Sequence, residues 1–278
     1  MSGGHDLEAG SGTRGYDSAS LQYREAAQRY WKFLSLRTVE QLELGAGGSV
    51  LDIACGPGVS TAAAAAAVGP GGRVAALDSS AEMLRMTLER AVTLGIGNVK
   101  AVLGDMAHAD FPAASFDAVI SVLGVFYVPD MPALVSRLWQ LVRPGGRLAI
   151  TTLGEGAFQP AFGIWKEAVR AERPDARLTF SWERTDNPGY VRALLREAGV
   201  PSPEVRLEPR ELAISGAEDW WLAVMGSGMR RIALELDDDT GDRVRADFDR
   251  RLREARVRAI QMPGIYATAK KPVLGGSG

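Results

Sequence analysis

The sequence predicts an α/β protein in which a mostly parallel sheet is covered by helices on both faces. Three observations predict it. Between residues 49 and 152, short apolar runs of strand length alternate with helical stretches, the rhythm of βαβ units. Hydrophobic residues make up 46% of the 278 and charged residues 24%, enough apolar material for one large core and too much for a disordered chain. The 32 glycines and 14 prolines punctuate those runs, where turns are needed.

In chain order, residues 1–15 (MSGGHDLEAGSGTRG) are Gly, Ser and charge without periodicity and read as a flexible leader, as residues 272–278 read as a flexible tail. Helical periodicity runs from Tyr16 to about residue 44, with Tyr16, Tyr23 and Tyr30 spaced by seven on one face. Residues 49–53 (SVLDI) form a buried strand, and after a glycine turn the alanine-rich stretch 59–68 forms a helix whose small side chains lie close on a sheet. Residues 69–72 break it, and 73–78 (RVAALD) form the second strand. Ser79 to Glu82 fits a capping box that opens a helix running to Gly95. Further strands are predicted over 99–105, 116–123 and 147–152, with a helix over 132–142 and the turn Arg143-Pro-Gly-Gly before the last of them. Beyond Gly154 the stretches are longer and helical. Asn187 reads as an N-cap with Pro188 at the first helical position, and Gly199 lies just past a helix over 190–198. Strands over 204–212 and 259–270, separated by helices over 217–236 and 241–256, bring the strand number to seven, with an antiparallel strand expected at the C-terminal edge. The 241–256 helix alternates Arg with Asp and Glu and reads as a solvated face.

Composition excludes several activities. Lys and Arg total 32 against 34 Asp and Glu, so the basic surface that a nucleic acid requires is missing. Cys55 is the one cysteine and His5 and His108 are the histidines, too few for a disulfide framework, a Cys/His metal site or most histidine triads. No apolar run approaches the ~20 residues that cross a bilayer, and the N-terminus lacks the start of a signal peptide, so a cytoplasmic protein without membrane insertion is expected.

The stretch that carries chemistry is Val50-Leu-Asp-Ile-Ala-Cys-Gly-Pro-Gly58, a strand leading through a tight glycine turn into a helix. Glycine is expected there because a Cβ would keep a ligand from the backbone, and the helix start offers unpaired N–H donors. Asp78 ends the next strand ~20 residues later, where α/β nucleotide binders place an acid on ribose hydroxyls. The dinucleotide pattern wants a third glycine where Thr61 stands, and no phosphate-cradling G-x-x-x-x-G-K-[ST] is present. A nucleoside-like ligand without phosphates fits better.

These residues in this order resemble the class I S-adenosylmethionine-dependent methyltransferases, in particular the small-molecule branch with the ubiquinone and menaquinone biosynthesis enzymes. LDIACGPG is similar to that family's first motif, Asp78 to its ribose-binding acid, Gly104-Asp105-Met106 to its adenine-contacting segment, and Val142-Arg-Pro-Gly-Gly146 to its turn before strand five. The resemblance implies a Rossmann-like fold over 16–271, divided into N-terminal helices at 16–45 that close as a lid, a cofactor-binding core at 46–154, and acceptor-site helices with C-terminal strands at 155–271. It implies S-adenosyl-L-methionine as cofactor and S-adenosyl-L-homocysteine as product. Carried over by position, Ala54, Cys55, Gly56 and Gly58 line the methionine and ribose part, and Asp52 places the amino group. Asp78 with Ser79 meets the ribose, Met83 packs near the adenine, and Gly104, Asp105 and Met106 read its edge. Ser121 and Val122 face the methionine part, and Tyr16 and Tyr23 touch the cofactor from the lid. Ala54 departs from the glycine of many relatives.

The implied reaction is transfer of a methyl group to an O, N or C nucleophile of a small, fairly hydrophobic acceptor, in natural-product or quinone-type biosynthesis, by a monomer or homodimer. Alignment and desolvation carry such a displacement, so an obvious base is not required; Tyr127, His108 and Glu183 are the candidates if one exists. Residues 180–184, Trp220-Trp221 and Met225 to Met229 are candidates for acceptor contacts. The competing readings are a methyltransferase-fold protein that binds the cofactor but catalyses a cyclisation or pericyclic step, one that serves only in binding, and a nicotinamide-dependent reductase, disfavoured by Thr61.

Overall fold

The computed structural model describes residue 25 and residues 27–273. The expectations for the leader, for Tyr16 and Tyr23, and for residues 274–278 lie outside the described residues. Strands β1 (Ser49–Ile53), β2 (Arg73–Asp78), β3 (Val99–Leu103), β4 (Phe116–Val122) and β5 (Val142–Leu153) run parallel to one another. With β6 (Glu204–Glu208) and β9 (Gly264–Lys270) they make one seven-stranded sheet in the order β3-β2-β1-β4-β5-β9-β6. β7 (Glu211–Ala213) and β8 (Ala259–Gln261) pair apart as an antiparallel ribbon. β1 lies inside the sheet and is buried at every residue, which is why SVLDI reads as an unbroken run and not as an alternating one.

Helices α1 (Lys32–Glu40), α2 (Val59–Val68) and α3 (Ala81–Thr93) cover one face. Val39, Leu42, Ala64, Ala65 and Val68 of that layer pack on Val50, Ala118, Ile120 and Ala149 of the sheet. α4 (Met131–Leu141) and α6 (Pro188–Glu197) cover the other. Asp130 and Asn187 cap these two by accepting from the Ala133 and Gly189 N–H groups at 2.9 and 2.7 Å, and Gly199 follows α6 with φ 79°. A third layer, α5 (Ala161–Glu172), α7 (Ala217–Met225), α8 (Arg230–Leu234) and α9 (Asp238–Glu254), shares one aromatic core with Tyr30, Trp31, Val59 and Phe126.

Several boundaries differ from the sequence reading, each for a local reason. The runs 204–212 and 259–270 are two strands apiece because Pro209 and Pro263, which lack an N–H, interrupt them. The helix expected over 217–236 is two, broken at Gly226-Ser-Gly228. The 99–105 strand stops at Leu103, since Asp105 turns its side chain onto the Ala107 N–H. The cap of α3 is Ser80 and not Ser79, its side chain accepting from the Met83 N–H at 3.2 Å. The antiparallel strand, β9, is not at the edge but lies between β5 and β6, pairing with both. Its apolar side chains Ile265, Ala267 and Ala269 are buried, whereas β6 carries Glu204, Arg206 and Glu208 and tolerates the open edge. α9 is solvated on one side only, because Val244, Phe248 and Leu252 face the core.

Candidate functional site

The strands of the parallel set point their carboxyl ends the same way, and the turn that follows β1 lies there. Ala54, Gly56 and Gly58 take left-handed φ values of 55°, 54° and 75°. Ala54 does so without glycine's freedom, at a cost of order 1–3 kcal/mol that the surroundings must offset. α3 holds the turn from beneath. The Thr87 hydroxyl donates to the Gly56 carbonyl at 2.8 Å, the Arg90 Nε–H donates to the Pro57 carbonyl at 2.8 Å, and the Gly58 N–H donates to the Cys55 carbonyl at 3.1 Å. A Cβ on Gly58 would lie 2.7 Å from Thr87 side-chain atoms. Gly58 is therefore required to be glycine by its left-handed φ and by the packing of α3 against it.

Two carboxylates flank the turn. Asp78, at the end of β2, accepts from the Gly56 N–H at 2.8 Å through Oδ2 and from the Ser80 N–H at 3.0 Å through Oδ1. Asp52, inside β1, is fully buried; its Oδ2 accepts from the Ser60 and Thr61 hydroxyls at 2.8 and 2.6 Å. Its Oδ1 has no hydrogen-bond partner among the described residues. Burial pushes its carboxyl up to about 7, against the two hydroxyl bonds that favour the charged form. Burial likewise pushes the Cys55 thiol well up, helped by the charges of Asp52 and Asp78, so it is a small apolar filler rather than a nucleophile.

The remaining predicted residues fall around this centre. Met83 is buried on α3, and Ser79 is exposed beside the cap. Gly104 donates its N–H to the Asp78 carbonyl at 3.0 Å, Asp105 is exposed, and Met106 opens a short helical turn. Ser121 and Val122 end β4; the Ser121 Oγ is buried without a partner among the described residues. Tyr16 and Tyr23 lie outside the described residues. Of the three base candidates, His108 is 83% exposed and pairs with Asp105 at 3.2 Å. Glu183 accepts from the Phe180 N–H at 2.9 Å and so serves a local cap. Tyr127 ends the turn after β4, its ring 4.8 Å from that of Phe126.

The methyltransferase domain family matches residues 50–146, which span β1 to the turn inside β5. The chain is 32% identical to a nocamycin O-methyltransferase of Saccharothrix syringae over 215 residues, 73% of this chain and 77% of that one. The chain belongs to the class I S-adenosylmethionine-dependent methyltransferases. A demethylmenaquinone methyltransferase of Listeria monocytogenes is 31% identical over 134 residues, 48% of this methyltransferase and 55% of the relative. The structure of the [4+2]-cyclase SpnF shares the fold at TM-score 0.58 and 17% identity, covering 94% of this chain and 96% of that one. S-adenosylmethionine is the family's methyl donor, and the residues present fit it. Asp52 Oδ1 and Ser121 Oγ are buried polar atoms in want of partners at adjacent strand ends, and the Asp78 carboxylate is already oriented by two backbone N–H groups.

Sequence reasoning missed several residues. Thr87 and Arg90 follow Met83 at helical spacing on the face of α3 toward the turn, a signal readable only once that face is known. Gly124 is needed because a Cβ there would come within 2.7 Å of the Ala54 Cβ and 2.8 Å of the Ser121 Oγ. Arg184, inside the 180–184 stretch expected to contact the acceptor, donates to the Val128 and Pro129 carbonyls at 2.8 Å, tying that stretch to the turn that holds Tyr127. The aromatic acceptor candidates Phe180, Trp182, Trp220, Trp221 and Met229 are all buried in one cluster. Two cavities, about 220 Å³ beside Arg173, Arg177 and Arg231 and about 210 Å³ at the amino end of β1, are lined by none of the turn residues.

Proposed function

We propose that this protein transfers the methyl group of S-adenosylmethionine to an oxygen nucleophile of a small, oxygenated and largely apolar acceptor of secondary-metabolite or quinone type. The observation that carries the reading is the Asp78 carboxylate, held by the Gly56 and Ser80 N–H groups beside a turn that has no phosphate-binding pattern. The oriented carboxylate would accept from the ribose hydroxyls. Asp52 Oδ1 would take the amino group, Ser121 and Val122 the methionine part, Ala54 to Gly58 the span between, and Gly104 to Met106 with Met83 the adenine. S-adenosylmethionine, when bound, supplies a methyl group made electrophilic by its sulfonium.

The chain's own residues align the acceptor and exclude water. The aromatic third layer joins Val59 and Phe126, next to the turn, in one continuous apolar cluster, which would offer an apolar acceptor ring surface on that side. Positioning and desolvation of this kind account for the rate of a displacement that needs no metal or nucleophile from the protein. Where the acceptor hydroxyl must lose a proton, the proton would leave to water, with the Tyr127 hydroxyl accepting a hydrogen bond from the acceptor; Glu183 is committed to a cap and His108 pairs with Asp105. The names of the nocamycin and demethylmenaquinone relatives support oxygen-bearing acceptors and, for the first, transfer to oxygen. The functional unit is residues 16–271, a monomer or homodimer of the cytoplasm.

Calorimetric titration with S-adenosylhomocysteine, with NADPH as control, tests the cofactor site; micromolar binding of the first alone is expected, about -8 kcal/mol. Asp78→Ala is expected to weaken that binding by about 1–3 kcal/mol through lost hydrogen bonds to a charged group. Incubation with S-adenosylmethionine and hydroxynaphthoquinone acceptors should then form S-adenosylhomocysteine and a methyl ether in equal amounts. A rearranged acceptor with no S-adenosylhomocysteine would instead establish the cyclisation reading.

A further inference from the structure

We propose that Thr87 is a positioning residue for the cofactor, fixing the ribose-binding carboxylate of Asp78 through the Gly56 peptide; the inference rests on the cofactor reading above. A turn containing two left-handed glycines has a soft backbone, and the bond inside it, from the Gly58 N–H to the Cys55 carbonyl, leaves the Gly56 carbonyl to be held from elsewhere. The Gly56 carbonyl is taken by the Thr87 hydroxyl, the Pro57 carbonyl by the Arg90 Nε–H, and the Cys55 carbonyl by the Gly58 N–H, so each carbonyl from 55 to 57 has a donor. With those peptides fixed, the Gly56 N–H points at Asp78 Oδ2, 2.8 Å away. Thr87 does a second thing that serine or valine alone would do in part: its methyl and hydroxyl both lie against Gly58, where a Cβ would come within 2.7 Å. It is buried, and its hydrogen bond at the turn goes to Gly56 and not to Asp78, so it acts on the carboxylate through the Gly56 peptide.

The relay has a signature that mere support of the fold lacks. Thr87→Val keeps the volume and removes the donor; Thr87→Ser keeps the donor. Dissociation constants are measured by calorimetry for S-adenosylhomocysteine and for 5′-methylthioadenosine, which has the ribose and adenine but no amino acid. Thr87→Val is expected to weaken both by the same factor, roughly tenfold, with Thr87→Ser within about twofold of the unmodified protein. In an Asp78→Ala background the Thr87→Val effect should vanish. Unchanged affinity in Thr87→Val, a loss confined to S-adenosylhomocysteine, or a loss that persists without Asp78 would each overturn the relay. If Thr87→Val melts before it can be titrated, Thr87→Ala, which removes the hydroxyl and adds no bulk, carries the same three comparisons. Failure of the unmodified protein to bind S-adenosylhomocysteine is a separate outcome, and it removes the cofactor reading itself.

Discussion

Around the glycine turn each carbonyl from 55 to 57 has a donor and the carboxylate of Asp78 has two. In the aromatic third layer, by contrast, the indole N–H groups of Trp31, Trp165 and Trp220 are buried with no hydrogen-bond partner among the described residues. The first region is ordered by directional bonds over a few residues, the second by ring volume: Phe158 touches Trp31, Phe162, Trp182 and Trp220 at centroid distances of 5.8 to 6.4 Å. A site that must present fixed donors and acceptors to one cofactor uses the former. A layer that need only close off water and meet an apolar acceptor uses the latter, and it retains indole donors unspent.

That contrast can be broken by experiment. The largest effect is expected in the third layer, where Trp220→Ala should cost about 3–5 kcal/mol in urea unfolding, while the conservative Trp220→Phe should cost far less because no hydrogen bond is lost. A similar cost for both would mean that the indole N–H has a partner. Next comes pH. Asp52 is held near 7 by burial, against about 3.9 in an unfolded chain, so its contribution to folding is fully present below the lower value and is lost as pH rises through the higher one. Relative to Asp52→Asn, the protein should therefore lose stability on the order of 3 kcal/mol between about pH 4 and pH 7; parallel curves would mean that water reaches the carboxyl. Gly58→Ala, strained at φ 75° and pressed on Thr87, should cost about 1–3 kcal/mol, read from the unfolding midpoint, and part of that cost should return in a Thr87→Ala background. The smallest effect belongs to the outer face of α9, where Arg250 pairs with Glu254 and Asp247 in solvent: Arg250→Ala should leave the unfolding midpoint unchanged.

The same division decides what could be read from the amino acids. β1, α2 and β2 fall on the residues that periodicity predicts, because a buried strand, an alanine helix and a closing acid are local signals. Asp52 is reached only through the resemblance to the family, whereas Asp78 is legible for the same reason. The choice between Ser79 and Ser80 as cap is not, since neighbouring serines have equal chemistry and only the entry angle of α3 separates them. Nor is Thr87, whose part depends on a contact across thirty residues. Pro209 and Pro263, which cannot donate to a ladder, divide each of the two C-terminal runs into two strands. The aromatic residues of the third layer show their composition in the sequence but not their partners, because ring packing has no spacing rule.

The position of β9 has a consequence for how the chain is made. Strands β5 and β6 are neighbours in neither the finished sheet nor any partial one, since residues 264–270 must lie between them. While a nascent chain leaves the ribosome, the five parallel strands can assemble as soon as β5 emerges, but β6 has nowhere to dock until residues 264–270 have been synthesised. Until then the open side of β5 is an unpaired edge. A chain that stopped before residue 264 would leave that edge exposed for good, turning the loss of one strand into a risk of aggregation for the whole sheet.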